Sequence, residues 1–207
     1  MSTRIRITFS KQGALRYTGH LDLHKLWERA TRRAEINLAY SQGFHPQPKI
    51  QLASALPLGF SSRCEMADLW VETEIGEDFQ ARLQAAMPMG LVIQKIEPVD
   101  ERTPPLQTQV IASEYEVALL DEIDADALSR RLSAVMEADS LPRERRNKPY
   151  DLRPLIETLA FSAAPTPSLH MRLTAREGAT GRPEEVLAAL EIPFEATRVE
   201  RTRLVFA

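Results

Sequence analysis

Between Arg16 and Lys49 the chain gathers residue types suited to handling an anion: Arg16-Tyr17-Thr18-Gly19-His20-Leu21-Asp22, a basic segment, then Tyr40-Ser41-Gln42-Gly43-Phe44-His45-Pro46-Gln47-Pro48-Lys49. Imidazole titrates near neutral pH, so His20 or His45 as general base or acid, with Arg16, Arg29 or Lys49 holding phosphate charge, would suit metal-free RNA cleavage. His20 and His24 are four apart on one helix and offer two metal ligands, yet no third ligand stands at a recognisable spacing. They read as capping or core histidines, and no metal or cofactor is expected. Ser41 and Cys64 have no identifiable base to activate them and read as structural. Binding remains the stronger reading, with Arg16, His20, Lys25, Arg29, Arg32, Arg33, Tyr40, Phe44, His45 and Lys49 as the candidate surface for RNA or another large anion, and no residue assigned to catalysis.

A helix from Leu21 to Ala34 must position this surface. Leu23, Leu26, Trp27, Ala30 and Ala34 recur at three- and four-residue spacing and form one apolar stripe. At about 100° per residue, Lys25, Arg29, Arg32 and Arg33 fall on the opposite face. In the following loop Gly43 opens backbone angles closed to other residues, while Pro46 and Pro48 stiffen the path. Phe44 then has two readings, a stacking face for a base or a plug in the core beneath the turn.

The formal net charge of −3 hides an asymmetry. Up to Arg63 there are 10 Lys and Arg against 3 Asp and Glu, net +7, whereas the remainder has 16 against 26, net −10. A segregated basic region attracts polyanions even on an acidic protein. The 43% hydrophobic and 27% charged composition is that of an ordinary globular chain. No apolar run approaches the roughly 20 residues that span a bilayer, and the start lacks an apolar signal core, so no membrane contact and a cytoplasmic location are expected. The single Cys64 excludes an internal disulfide and the clustered thiolates of an iron–sulfur centre.

Arg4 to Phe9 alternates as a half-buried strand, Ile36 to Tyr40 and Ile50 to Leu52 read as extended, as does Met66 to Ile75, Glu77 to Met87 is helical, and Leu91-Val92-Ile93 is a strand. This is the βαββαβ order of a ferredoxin-like unit. After a proline-bearing linker the order repeats: a strand at Tyr115 to Leu119, a helix capped by Asp124, a strand within Leu141 to Tyr150, an ambiguous Leu155 to Phe161, a strand at Leu169 to Leu173, a helix from Pro183 to Leu190 and a closing segment to Phe206. The expectation is an α+β chain of two tandem ferredoxin-like units with antiparallel sheets, 1–100 and 113–207, joined by a linker at 101–112. That order is similar to the one in CRISPR repeat-processing endonucleases of the RAMP superfamily, a likeness of fold order that does not fix function. Arg143, Arg145, Arg146, Lys148 and Arg153 suggest a second basic edge, with Arg145, Lys148 and Arg153 as candidate RNA contacts. Gly178 to Pro183 reads either as a phosphate-binding loop or as a simple connection.

His20-Leu21-Asp22, Glu28-Arg29, Arg32-Arg33-Ala34, Tyr40 to Pro46 and Pro48 together resemble the opening of the radical-SAM-linked protein family, a domain of unknown function found beside or fused to cobalamin-binding radical-SAM proteins. Pro57-Leu58-Gly59, Lys148, Asp151-Leu152-Arg153-Pro154 and Arg201-Thr202 with Leu204 extend the resemblance over nearly the whole chain. His24 departs from it, standing where the family more often has an apolar residue. The resemblance implies a separately encoded radical-SAM enzyme as partner, since the single cysteine leaves radical chemistry to another chain. The expected function is a non-catalytic accessory protein that binds RNA or an anionic substrate. A small metal-independent RNA endonuclease and a protein–protein scaffold are the alternatives.

Overall fold

The computed structural model describes residues 2–145, 147–176 and 178–207, which form two compact units, Met1–Gln109 and Val110–Ala207. The first unit runs β1 (Thr3–Lys11), α1 (His20–Arg33), β2 (Ile50–Leu52), β3 (Ser61–Val71), α2 (Phe79–Ala85), β4 (Leu91–Pro98) and the short α3 (Leu106–Gln109). Its strands pair antiparallel in the order β4-β1-β3-β2. Ile5, Ile7 and Phe9 from β1 meet Leu23 and Trp27 of α1 and Phe79 and Leu83 of α2 in one core. There the Phe9 and Trp27 rings stand edge to face, 5.0 Å apart. The tight turn before β4 requires glycine, since Gly90 has φ of 96° and a Cβ there would lie 2.5 Å from the Gln12 carbonyl oxygen.

Two sequence expectations change in this unit. Ile36 to Tyr40 is not a strand: Leu38 makes an isolated bridge to Val71, and Tyr40 bridges to Pro48 in its own loop. The charged positions of β1 do not simply face solvent either. Arg4 is buried beside Asp68 and donates to the carbonyls of Thr103 and Pro104. The segment 101–112 therefore contributes packing as well as connection, since Leu106 is fully buried and Val110 already belongs to the next strand.

The second unit runs β5 (Val110–Leu119), α4 (Ala125–Glu137), β6 (Pro142–Arg145), β7 (Lys148–Asp151), β8 (Ile156–Ser162), β9 (Ser168–Arg176), β10 (Ala179–Thr180), α5 (Pro183–Ala189) and β11 (Thr197–Phe206). β5 lies between β9 and β11, and both β8 and β10 pair with β9, all antiparallel. Asp124 caps α4, accepting from the main-chain N–H groups of Asp126 and Ala127. The strand expected within Leu141 to Tyr150 is instead a hairpin, β6 against β7, because the chain reverses at Asn147, whose φ is 61°. Both units are α+β with antiparallel pairing, and no described helix is long and apolar enough to cross a membrane.

Candidate functional site

α1 carries the basic surface. Leu23, Trp27, Ala30 and Ala34 are buried and Leu26 is partly so, which turns Lys25, Arg29, Arg32 and Arg33 outward. Asp22 in the first turn and Arg32 and Arg33 in the last complement the helix dipole. Arg32 pairs with Glu28 at 3.0 Å, one turn back on the same helix. Among the described residues Lys25, Arg29 and Arg33 have no carboxylate partner.

The loop that follows is braced at its base. Ser41 N–H donates to the Gln47 carbonyl, Gln47 N–H donates to Ser41 Oγ at 3.0 Å, and Lys49 N–H donates to the Ala39 carbonyl. Ser41 thus has a structural role. Gly43, with φ of 131°, permits the reversal, and Phe44 at the tip is fully exposed (101%), which removes its reading as a core plug. His45 and the Lys49 side chain are exposed as well, and Tyr40 is half exposed.

Two concavities flank α1. His20 and His24 line one of about 340 Å³ with Gln51, Ser54 and Gln107. Glu28, Arg32, Glu35, Tyr40 and Glu72 line another of about 380 Å³, whose rim is more acidic than basic. The sequence presented these residues as one surface, whereas α1 turns His20 and His24 toward one hollow and Arg32 toward another, which Tyr40 of the following loop also lines. His20 is exposed by surface area, yet partial desolvation of its ring at the hollow lowers its pKa below the ordinary histidine value, His24 adds to the effect and Glu65 opposes it. At neutral pH His20 is a neutral imidazole. Among the described residues no group of three His, Cys, Asp or Glu is placed to hold a metal ion. Arg16 lies over its neighbour Tyr17, guanidinium carbon 4.9 Å from the ring centre, and Cys64 Sγ is 3.7 Å from Ser62 Oγ.

In the second unit the basic cluster divides. Arg153 donates through Nε and Nη2 to the Met136 carbonyl and through Nη1 to that of Ile156, so its guanidinium clamps α4 to the start of β8 and has few donors left for a phosphate. Arg145 makes a two-oxygen pair with Glu185 at 3.0 and 3.1 Å and lies over the Tyr150 ring at 4.9 Å. Burial and a hydrogen bond to Glu185 raise the Tyr150 pKa, which keeps the phenol protonated. Arg143 donates to the adjacent Pro142 carbonyl, and Arg146 lies outside the described residues. Lys148 is exposed, and it shares a cavity of about 550 Å³ with Arg145, Tyr150, Thr180 and Arg182. The hairpin and the glycine-bearing segment, separate motifs in the sequence, therefore converge. Arg182 was missed as a candidate because its place beside Lys148 depends on the pairing of β9 with β10 and on the Gly181 N–H bonded to the Thr174 carbonyl.

Residues 4–183 match the family described as "Uncharacterized protein conserved in bacteria (DUF2344)". No match was found among curated proteins. Among solved structures, a chain in the crystal structure of a Cbf5-Nop10-Gar1 complex is similar with a TM-score of 0.51 at 10% identity, over 97% of this chain. This chain corresponds to 48% of that one, about half its length. A chain in the structure of the acetolactate synthase small subunit from Thermotoga maritima has a TM-score of 0.28 at 11% identity, covering 99% of this chain and 95% of that one.

Proposed function

Because the chain belongs to the DUF2344 family of bacterial proteins, whose description assigns no activity, we propose from its geometry that it is a non-catalytic accessory protein that binds RNA. The observation that carries this reading is the pairing, within one unit, of an exposed cationic helix face with a fully exposed Phe44 on a braced loop. Cations without carboxylate partners neutralise phosphates, and an exposed aromatic ring offers a sequence-tolerant stacking face. Bracing lowers the entropy lost when the loop grips a ligand. In fold, we read the units as two ferredoxin-like units in tandem. The order β4-β1-β3-β2 in the first and β11-β5-β9-β8 in the second support this. The hairpin β6–β7 is then an insertion.

The resemblance to the radical-SAM-linked family makes a separately encoded radical-SAM enzyme the proposed partner. Incubation with labelled total RNA tests the binding reading. Retention of RNA without shortened products supports it; metal-independent cleavage would favour an endonuclease using His20 or His45, and no retention would leave a scaffold. Affinity capture from the native cells with mass spectrometry tests the partner.

A further inference from the structure

We propose that the cavity between the β6–β7 hairpin and the Gly178–Arg182 segment binds a nucleoside monophosphate, with Lys148 and Arg182 on the phosphate and Tyr150, Pro149 and Leu155 against the base and sugar. This site lies in the second unit and does not rest on the RNA-binding reading of α1.

Charge decides the phosphate end. Among the described residues three cations line the cavity, Arg145, Lys148 and Arg182. Arg145 is already compensated by its two-oxygen contact with Glu185, so it stiffens the wall more than it attracts a ligand. Its Nη2 also donates to the Thr180 carbonyl at 3.2 Å, which ties the hairpin to the opposite wall. Among the described residues no carboxylate pairs with Lys148 or Arg182, which leaves two positive charges. A phosphomonoester carries about −1.5 to −2 at pH 7 and would balance them, where a phosphodiester with a single charge would not.

The other walls decide the rest of the ligand. Leu155, Pro149 and the Tyr150 ring give an apolar side to a hollow of about 550 Å³, well above the size of a bare phosphate and within the range that small-molecule sites occupy. One face of Tyr150 is held by the Arg145 guanidinium, which fixes the ring plane before any ligand arrives. A planar group with a phosphate tail fits both ends.

Titration calorimetry of the full chain with adenosine 5′-monophosphate, adenosine and inorganic phosphate tests the assignment. We expect saturable one-to-one binding of the monophosphate, weakened at least about tenfold by removal of its phosphate, as the loss of charge-assisted hydrogen bonds implies. Lys148→Ala and Arg182→Ala should each weaken it to a similar degree with melting temperature unchanged, while Arg29→Ala on α1 leaves it intact. No binding at millimolar monophosphate, equal affinity for adenosine or for inorganic phosphate, or indifference to both cavity variants would each overturn the proposal. Loss of RNA binding in Arg29→Ala with the monophosphate still bound separates this site from the α1 surface.

Discussion

Nη2 of Arg4 lies 2.7 Å from Oδ2 of Asp68, with the two side chains only 2% and 0% exposed. Nε of Arg6 lies 2.8 Å from the other oxygen of the same carboxylate. One acid therefore compensates two guanidinium groups, one of them deeply buried. Asp68→Asn leaves that charge without its counterion, and breaking a buried pair on one side costs roughly 3 to 5 kcal/mol. Urea denaturation should show a loss of that size, and a variant as stable as the parent would mean that the carboxylate does not hold this face together.

The same cluster shows where the sequence stopped being legible. Alternation at Arg4 to Phe9 located β1, because a strand of period two must share its apolar residues on one face. It could not say what covers the other face, since Asp68 is 64 residues and Thr103 is 99 residues from Arg4. α1 was legible nearly to its ends, because its apolar stripe and its cations are set by spacing within a single element. The direction of Phe44 was not, since Gly43 and Pro46 specify that the chain turns and not which side faces solvent. Arg153 looked like another surface cation until its carbonyl partners on Met136 and Ile156 were visible.

Phe44→Ala should separate binding from folding. The ring makes no burial contribution at full exposure, so melting temperature should be unchanged, whereas loss of one stacked base weakens RNA binding by about 1 to 3 kcal/mol. Trp27→Ala, by contrast, empties a fully buried site and should cost about 3 to 5 kcal/mol of stability. Unaltered RNA affinity in Phe44→Ala would remove the loop from the binding surface.

His20 gives the first unit a pH dependence of definite sign. Its folded pKa lies below the ordinary value of 6.5, so on acidification the unfolded chain takes up the proton first. The stability it contributes is complete above that value and is lost as pH falls toward the lower folded pKa. His20→Gln should therefore flatten the decline in stability below about pH 6.5, and NMR titration of the ring should place its midpoint under that of a model histidine. A midpoint at or above 6.5 in the unliganded protein would contradict this direction of shift.

Salt dependence distinguishes the cations of α1 from one another. Each phosphate neutralised contributes about one unit to the log–log slope of affinity against salt for a duplex, and somewhat less for a single strand. Lys25→Ala, Arg29→Ala and Arg33→Ala should each lower the slope by about that much, with little change in stability because the three side chains point to solvent. Arg32→Ala should lower it less. Its side chain is 72% exposed, but its guanidinium already lies 3.0 Å from the Glu28 carboxylate, so part of its charge is compensated before RNA arrives. Glu28→Ala should accordingly tighten RNA binding and steepen the slope by releasing Arg32, at the loss of an exposed helix pair worth only about 0.3 to 0.5 kcal/mol. Fluorescence anisotropy with one RNA at several salt concentrations measures all five variants. Equal slopes across the series, with Glu28→Ala no tighter than the parent, would place the RNA elsewhere on the protein.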